Sequence, residues 1–334
     1  MHLTTTLLLA SAALSHITHA ALVSQNSTKR GLIYIPQTFI TNPADEPIFT
    51  SPDTILTWYY NYQMSPSPSL ASQTHLEFVP MLWGSPDNAN DFSFSDTVQN
   101  LIRQGKNITH VMGFNEPDGT FETGGSSVSP VGAAATWRRV LQPLREKGLK
   151  LVGPATTGGP QGKVWLAAFL AACEGQCSID VLPVHWYGDF GGLASHLGEK
   201  QTFFEGYPEA FPNGNETKIW VTEYAFPHGD FENSQRFFNE SAEYFDRLDV
   251  IERYSYFGSF RSDRSNVGPY AAMLTEKGEL TDIGSLYLGG GLTGKVPDGS
   301  VKPENDESGA FSLFGHRLHG WEWIVVALVG AAVL

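Results

Sequence analysis

The sequence predicts an α/β fold: one domain of eight strand–helix units closed into a (β/α)8 TIM barrel. Three observations carry this. Short apolar, β-branched or aromatic runs recur eight times between residues 31 and 260, with helical stretches between them. The runs are apolar on both faces, as strands of a parallel sheet are when helices cover it on both sides. The chain has 334 residues, 41% of them hydrophobic and 12% aromatic, which suffices for the core of one barrel. An open doubly wound sheet is the alternative. No Gly-x-Gly-x-x-Gly turn follows the first run, which removes the usual dinucleotide-binding reason for such a sheet.

In order, the expected strands are 31–36, 55–63, 76–84, 110–116, 150–155, 181–188, 218–225 and 250–260. Ser95 is placed to cap a helix that stops at Gly105. Ser129-Pro130 opens another that runs through Trp137 and Leu144 to Gly148, with proline at the first helical position and glycine just past the end. Helices are also expected over 163–172 and 235–248. The barrel domain is set at 21–288. Residues 289–308 (GGGLTGKVPDGSVKPENDES) read as a flexible stalk. No internal repeat is present.

Charge and the two ends narrow the setting. The chain has 21 Lys+Arg against 35 Asp+Glu, a net charge of −14, so it lacks the basic surface of a nucleic-acid binder or of a protein docked on anionic lipid. Two cysteines exclude a disulfide-framework miniprotein and a zinc ribbon. Residues 1–20 contain no acidic or basic side chain other than histidine, carry an apolar run at 7–14, and place Thr18 and Ala20 at −3 and −1 of a signal-peptidase cut. A buried N-terminal helix is the alternative. Four Asn-x-Ser/Thr sequons, at Asn26, Asn107, Asn215 and Asn239, agree with a secretory route. The tail 321–334 (WEWIVVALVGAAVL) is short for a ~30 Å hydrocarbon core. With the small triplet Ser308-Gly309-Ala310 and the spacer 311–320, it forms a glycolipid (GPI) anchor signal, with Ser308 as attachment site and 309–334 removed. A short membrane span or an amphipathic tail is the alternative. A monomer touching membrane through the anchor alone is expected. In an oxidising compartment, Cys173 and Cys177 read as a short disulfide tying the fifth helix to the next strand, with a redox pair as the alternative.

In a barrel of this kind the chemistry sits at the C-terminal ends of strands. Here those ends are polar and aromatic: Gly113-Phe114-Asn115-Glu116-Pro117-Asp118, Trp220-Val221-Thr222-Glu223-Tyr224, His185-Trp186-Tyr187-Gly188, Trp58-Tyr59-Tyr60-Asn61 and Met81-Leu82-Trp83-Gly84. Two carboxylates among aromatics suit glycoside hydrolysis. The leaving oxygen needs an acid, the anomeric carbon a nucleophile or activated water, and sugar rings stack on indole and phenol faces. The plain alternatives are a solvated surface carboxylate for either glutamate and a simple turn at Asn115-Glu116-Pro117. Trp58, Tyr60, Trp83, Trp186 and Tyr187 read either as stacking platforms or as packing aromatics. His185 reads as a substrate-side residue or as a core histidine. The ten histidines show no zinc-ligand spacing, so no metal and no cofactor is expected.

Gly-Phe-Asn-Glu-Pro at 113–117 resembles the acid/base strand of clan A glycoside hydrolases, and Trp-Val-Thr-Glu-Tyr at 220–224 resembles their nucleophile strand. With Lys29-Arg30-Gly31, Trp58-Tyr59-Tyr60-Asn61, Val152-Gly153-Pro154-Ala155, Val184-His185-Trp186-Tyr187 and a closing helix near 280–287, the chain resembles glycoside hydrolase family 128, β-1,3-glucanases of fungi and bacteria. The resemblance spans about residues 29–288. It implies a retaining endo-β-1,3-glucanase with β-1,3-glucan as partner, Glu116 as general acid/base and Glu223 as nucleophile. It further implies that Asn115 bonds the sugar 2-hydroxyl and that His185, Trp186, Tyr187 and Asn61 face substrate. The other readings are another β-glucan linkage and a surface protein that binds glucan without cleaving it. The Gly/Ser-rich loop 119–129 departs from the family pattern and bears on the subsites.

Overall fold

The computed structural model describes residues 23–36 and 40–299; the expected leader, the anchor signal and Ser308 lie outside them. Among the described residues eight strands pair in parallel: β1 (Gly31–Ile33), β2 (Trp58–Tyr60), β3 (Glu77–Phe78), β4 (His110–Met112), β5 (Lys150–Val152), β6 (Val181–Tyr187), β7 (Lys218–Ala225) and β8 (Ile251–Tyr256). They form a three-stranded sheet, β1-β2-β3, and a five-stranded one, β4-β5-β6-β7-β8. Each expected run holds one strand, but the ladders are shorter than the runs. At 76–84, for instance, Pro80 brings no N–H to the ladder.

The sheets touch at both edges. Tyr254 N–H donates to the Lys29 carbonyl at 2.9 Å on one side; on the other, Met112 N–H donates to Pro80 at 2.8 Å and Leu82 N–H to Met112 at 3.0 Å. Side chains also cross from sheet to sheet. The rings of Trp58 and Trp220 lie 5.1 Å apart, and the Arg253 guanidinium sits 4.5 Å from the Trp220 centroid. Arg253 Nη2 reaches Glu77 Oε2 at 2.6 Å. Burial works against a charged Glu77, yet the His110 bond and the Arg253 charge prevail and hold its carboxyl at about 2.

Among the described residues eight helices surround this core: α1 (Glu46–Thr50), α2 (Ser93–Arg103), α3 (Pro130–Thr136), α4 (Gln142–Glu146), α5 (Pro160–Cys173), α6 (Phe190–Phe203), α7 (Phe231–Arg247) and α8 (Asp282–Tyr287). Ser129 Oγ accepts the Gly132 N–H at 3.2 Å, and α3 continues into α4 through a π-helical turn at Trp137–Leu141. Three helix starts differ from expectation, α5 among them, since it begins at Pro160. α2 starts at Ser93, where Asp91 Oδ1 accepts the Ser93 N–H at 2.8 Å, so Ser95 lies inside the helix. α7 starts at Phe231, because Asp230 caps it through Asn233 N–H at 2.8 Å. α1 and α6 are helices that the sequence reading lacks.

Arg30 accounts for the Lys29-Arg30-Gly31 signature. It is fully buried, and its guanidinium donates to Tyr254 Oη at 2.6 Å, the Leu286 carbonyl at 2.8 Å, the Ser24 carbonyl at 2.7 Å and Asp246 Oδ2 at 3.1 Å. One cation thereby joins β1, β8, α7 and α8. Gly31 lets the chain lie flush on an indole, since a Cβ there would meet Trp58 at 2.2 Å.

Cys173 and Cys177 are disulfide-bonded across the end of α5. Asn26, Asn107 and Asn215 are exposed. Asn239, the fourth sequon, is 8% exposed on α7, its Oδ1 accepting from Gln235 Nε2 at 3.1 Å, unlike the three exposed ones. The described part of the expected stalk, 289–299, is held on the domain, with Asp282 Oδ1 accepting the N–H groups of Thr293 (2.6 Å) and Gly294 (2.8 Å). Among the described residues no helix is long and apolar enough to cross a membrane.

Candidate active site

Glu223 sits near the end of β7, where the ladders on both sides slip. Against β6 the register jumps between Val184 and His185, so that His185 faces Glu223; against β8 it jumps between Val221 and Tyr224. Such irregularities re-aim side chains. The Thr222 carbonyl, left out of the ladder, accepts from Tyr60 Oη at 2.8 Å and Ser255 Oγ at 2.6 Å. Glu223 is 1% exposed, and both its oxygens are occupied: Tyr62 Oη donates to Oε1 at 2.8 Å and Tyr187 Oη to Oε2 at 2.6 Å.

Glu116 follows β4 with φ 36°, a left-handed backbone that costs a non-glycine residue on the order of 1–3 kcal/mol. Its N–H donates to the Ala155 carbonyl at 2.7 Å, and Gly125 passes so close that a Cβ there would meet the Glu116 carbonyl at 2.5 Å. Tyr62 is held at φ 62°. Two of the five non-glycine residues with positive φ among the described residues therefore belong to this site. That is where stored strain is usually found.

The imidazole of His185 lies between the carboxylates, Nδ1 2.9 Å from Glu116 Oε1 and Nε2 3.6 Å from Glu223 Oε1. Burial opposes its charge, but Glu223 and the hydrogen-bonded Glu116, with Asp118 beyond, outweigh burial and raise its pKa. Burial raises the Glu223 carboxyl as well; the His185 charge opposes that, the Glu116 charge adds to it, and the two tyrosine hydroxyls pull it back. One ligand atom each from Glu116, His185 and Glu223 falls within 4.8 Å of the others, the grouping among the described residues that could hold a cation. Their lone pairs already face hydroxyl and ring N–H donors, so the set is arranged for sharing protons.

Of the aromatics expected to face substrate, Trp186 and Tyr187 are half-buried at the rim. Trp83 is half-buried too, its ring 6.0 Å from that of Phe121, and its carbonyl accepts the Asn115 N–H at 2.9 Å. Three residues must be reassigned. Trp58 and Tyr60 are fully buried in the interior, Trp58 Nε1 donating to the Lys29 carbonyl at 3.1 Å. Asn61 is 1% exposed and spends its amide on Ser65 and Ser67, each at 3.0 Å, so it shapes a loop. Asn115 gives Nδ2 to the Gly124 carbonyl at 3.0 Å, while its buried Oδ1 has no protein partner. Tyr62 is a site residue that sequence reasoning missed; the signal was the phenol two positions past Tyr60, hidden by the turn at Asn61.

Tyr62 carries a prediction. Its hydroxyl lowers the Glu223 pKa, so Tyr62→Phe should raise it and move the acid limb of the kcat/KM profile to higher pH. The loss of rate should then be larger at acid than at neutral pH. A uniform loss at all pH values would make Tyr62 a packing residue only.

Two glutamates at the ends of parallel strands, with carboxylate oxygens within 4.8 Å of each other and framed by phenols and indoles, are the arrangement that defines glycoside hydrolases. The chain belongs to the glycosyl hydrolase catalytic core family, whose pattern matches residues 31–287. It is similar to a curdlan-specific exo-β-1,3-glucanase of GH128 subgroup III from Blastomyces gilchristii, solved with glucose: 27% identity, TM-score 0.61, covering 79% of this chain and 99% of that one. It is equally similar to an endo-β-1,3-glucanase of subgroup II from Pseudomonas viridiflava, with 27% identity, TM-score 0.60 and coverage of 80% and 99%. Alkali-sensitive linkage protein 1 of Schizosaccharomyces pombe is 29% identical over 277 residues, 79% of this chain and 45% of that protein. The chain thus spans about half the length of that curated relative.

Proposed function

We propose that the chain is a retaining endo-β-1,3-glucanase, a secreted and glycolipid-anchored protein of the cell surface, built on a (β/α)8 barrel. The bonds at both sheet edges and the side chains crossing between sheets support the closed barrel. The tail 309–334 and the leader 1–20 support the anchor and the secretory route. One observation carries the chemistry. One carboxylate oxygen of Glu116 lies within 4.8 Å of one of Glu223, which supports the roughly 5–5.5 Å carboxyl separation of a double displacement over the roughly 6.5–9.5 Å that leaves room for a water.

Glu116 gives its proton to the glycosidic oxygen as that bond breaks, and a Glu223 oxygen attacks the anomeric carbon to form an ester. Glu116 then takes a proton from water, which attacks the same carbon and releases Glu223. Tyr62 and Tyr187 hold the two Glu223 oxygens, so one lone pair stays aimed while the hydroxyls stabilise the departing carboxylate. Once Glu223 is esterified, His185 loses the largest charge favouring its own proton. It is left with Glu116 as its partner, just when Glu116 must act as base.

The test is direct. Residues 21–308, incubated with linear β-1,3-, β-1,4- and β-1,6-glucan, should yield a ladder of oligosaccharides from the β-1,3 chain alone. Glucose as the sole product would make the action exo, and cleavage of another linkage or none would overturn the assignment.

A further inference from the structure

Trp186 is enclosed in an unusual way. A Cβ at Gly192, in the first turn of α6, would stand 2.3 Å from its Cζ2 and 2.9 Å from its Cη2. A Cβ at Gly188 would stand 3.1 Å from Cζ2, and one at Gly158 3.1 Å from Cε3 on the opposite edge of the ring. One face is backed by the His196 ring, with centroids 5.3 Å apart and planes inclined by 32°, and Nε1 donates to the Asp189 carbonyl at 3.0 Å. Burial, with Lys200 and Lys163 adding, holds His196 at about 4, so its ring is neutral and apolar at ordinary pH. The indole is thus clamped on two edges and one face, and remains half-exposed.

We infer that Gly192 is a positioning residue for substrate: it lets α6 close on the Trp186 indole, which α6 then presents in one orientation as the stacking platform for a glucosyl ring. This rests on the glucanase reading. It also explains why α6 carries a glycine at 192. Gly192 has no left-handed backbone to require it, so alanine would ordinarily strengthen the helix. Only the indole forbids the methyl group.

That opposition of signs makes the test. In Gly192→Ala the ring must move. KM for soluble β-1,3-glucan should rise about two- to tenfold with kcat within twofold, the worth of one aromatic contact, and the near-UV circular dichroism should change. In a Trp186→Ala background the same substitution should no longer affect KM and should raise the melting temperature. If Gly192→Ala does not fold, recovery of folding in the double variant supports the contact, and no recovery overturns it. A higher melting temperature with KM and near-UV signal unchanged, or KM losses that add in the double variant, overturns the inference alone. A wild-type chain that neither binds nor cleaves any glucan overturns the glucanase reading and this inference with it.

Discussion

Glu223→Ala should reduce hydrolysis of β-1,3-glucan by about 10⁴-fold or more, since no other group stands where the ester must form. The buried space left by the carboxylate, lined by the Tyr62 and Tyr187 hydroxyls and by His185, is small and rich in donors. Azide entering it should attack the face that Glu223 attacked. Only one displacement then occurs, so the product should be a glycosyl azide of inverted configuration, identifiable by its anomeric proton coupling. The variant must first be shown to fold, because two buried hydroxyls lose their acceptor. Near-normal turnover would remove Glu223 from the mechanism.

Glu116→Ala should separate substrates by leaving group. With a polysaccharide the departing oxygen is basic and must be protonated, so the rate should drop about 10²–10⁴-fold. With an aryl glucoside whose phenolate leaves unaided, the first step should survive, and the glycosyl-enzyme should accumulate for want of a base. Added azide or formate should then accelerate turnover, here with retention, because Glu223 still performs the first displacement. Equal losses on both kinds of substrate would assign Glu116 to holding the fold around Pro117 and Ala155.

The two glutamates were legible because each ends an apolar run in a recognisable polar signature. Their partners were less so. β2 is buried on both faces, so nothing in the pattern of Trp58, Tyr59 and Tyr60 tells which ring points inward or how high it stands. For Trp58 and Tyr60 both a platform and a packing role fit the sequence, and cross-sheet contacts with Trp220 and Thr222 decide for packing. Tyr62 escaped because a turn with φ 62°, not strand alternation, carries it to Glu223. α6 escaped because Gly191-Gly192 has the local chemistry of a loop; the reason for Gly192 lies in the Trp186 ring, six residues earlier in the chain.

The two-sheet construction has a consequence for how the molecule comes apart. The main-chain bonds joining the sheets are few, whereas β6, β7 and β8 share long ladders. Tyr62 and Trp83 follow strands of the small sheet; His185, Tyr187 and Glu223 stand on strands of the large one, and Glu116 follows its β4. Breathing along the seam would draw Tyr62 and the Trp83 wall away while the acid pair, its histidine and one tyrosine stayed together. The weak line in this fold crosses the Tyr62–Glu223 bond but leaves both glutamates and His185 on one side, so on warming the grip on a long polymer should fail before a short one ceases to be cut.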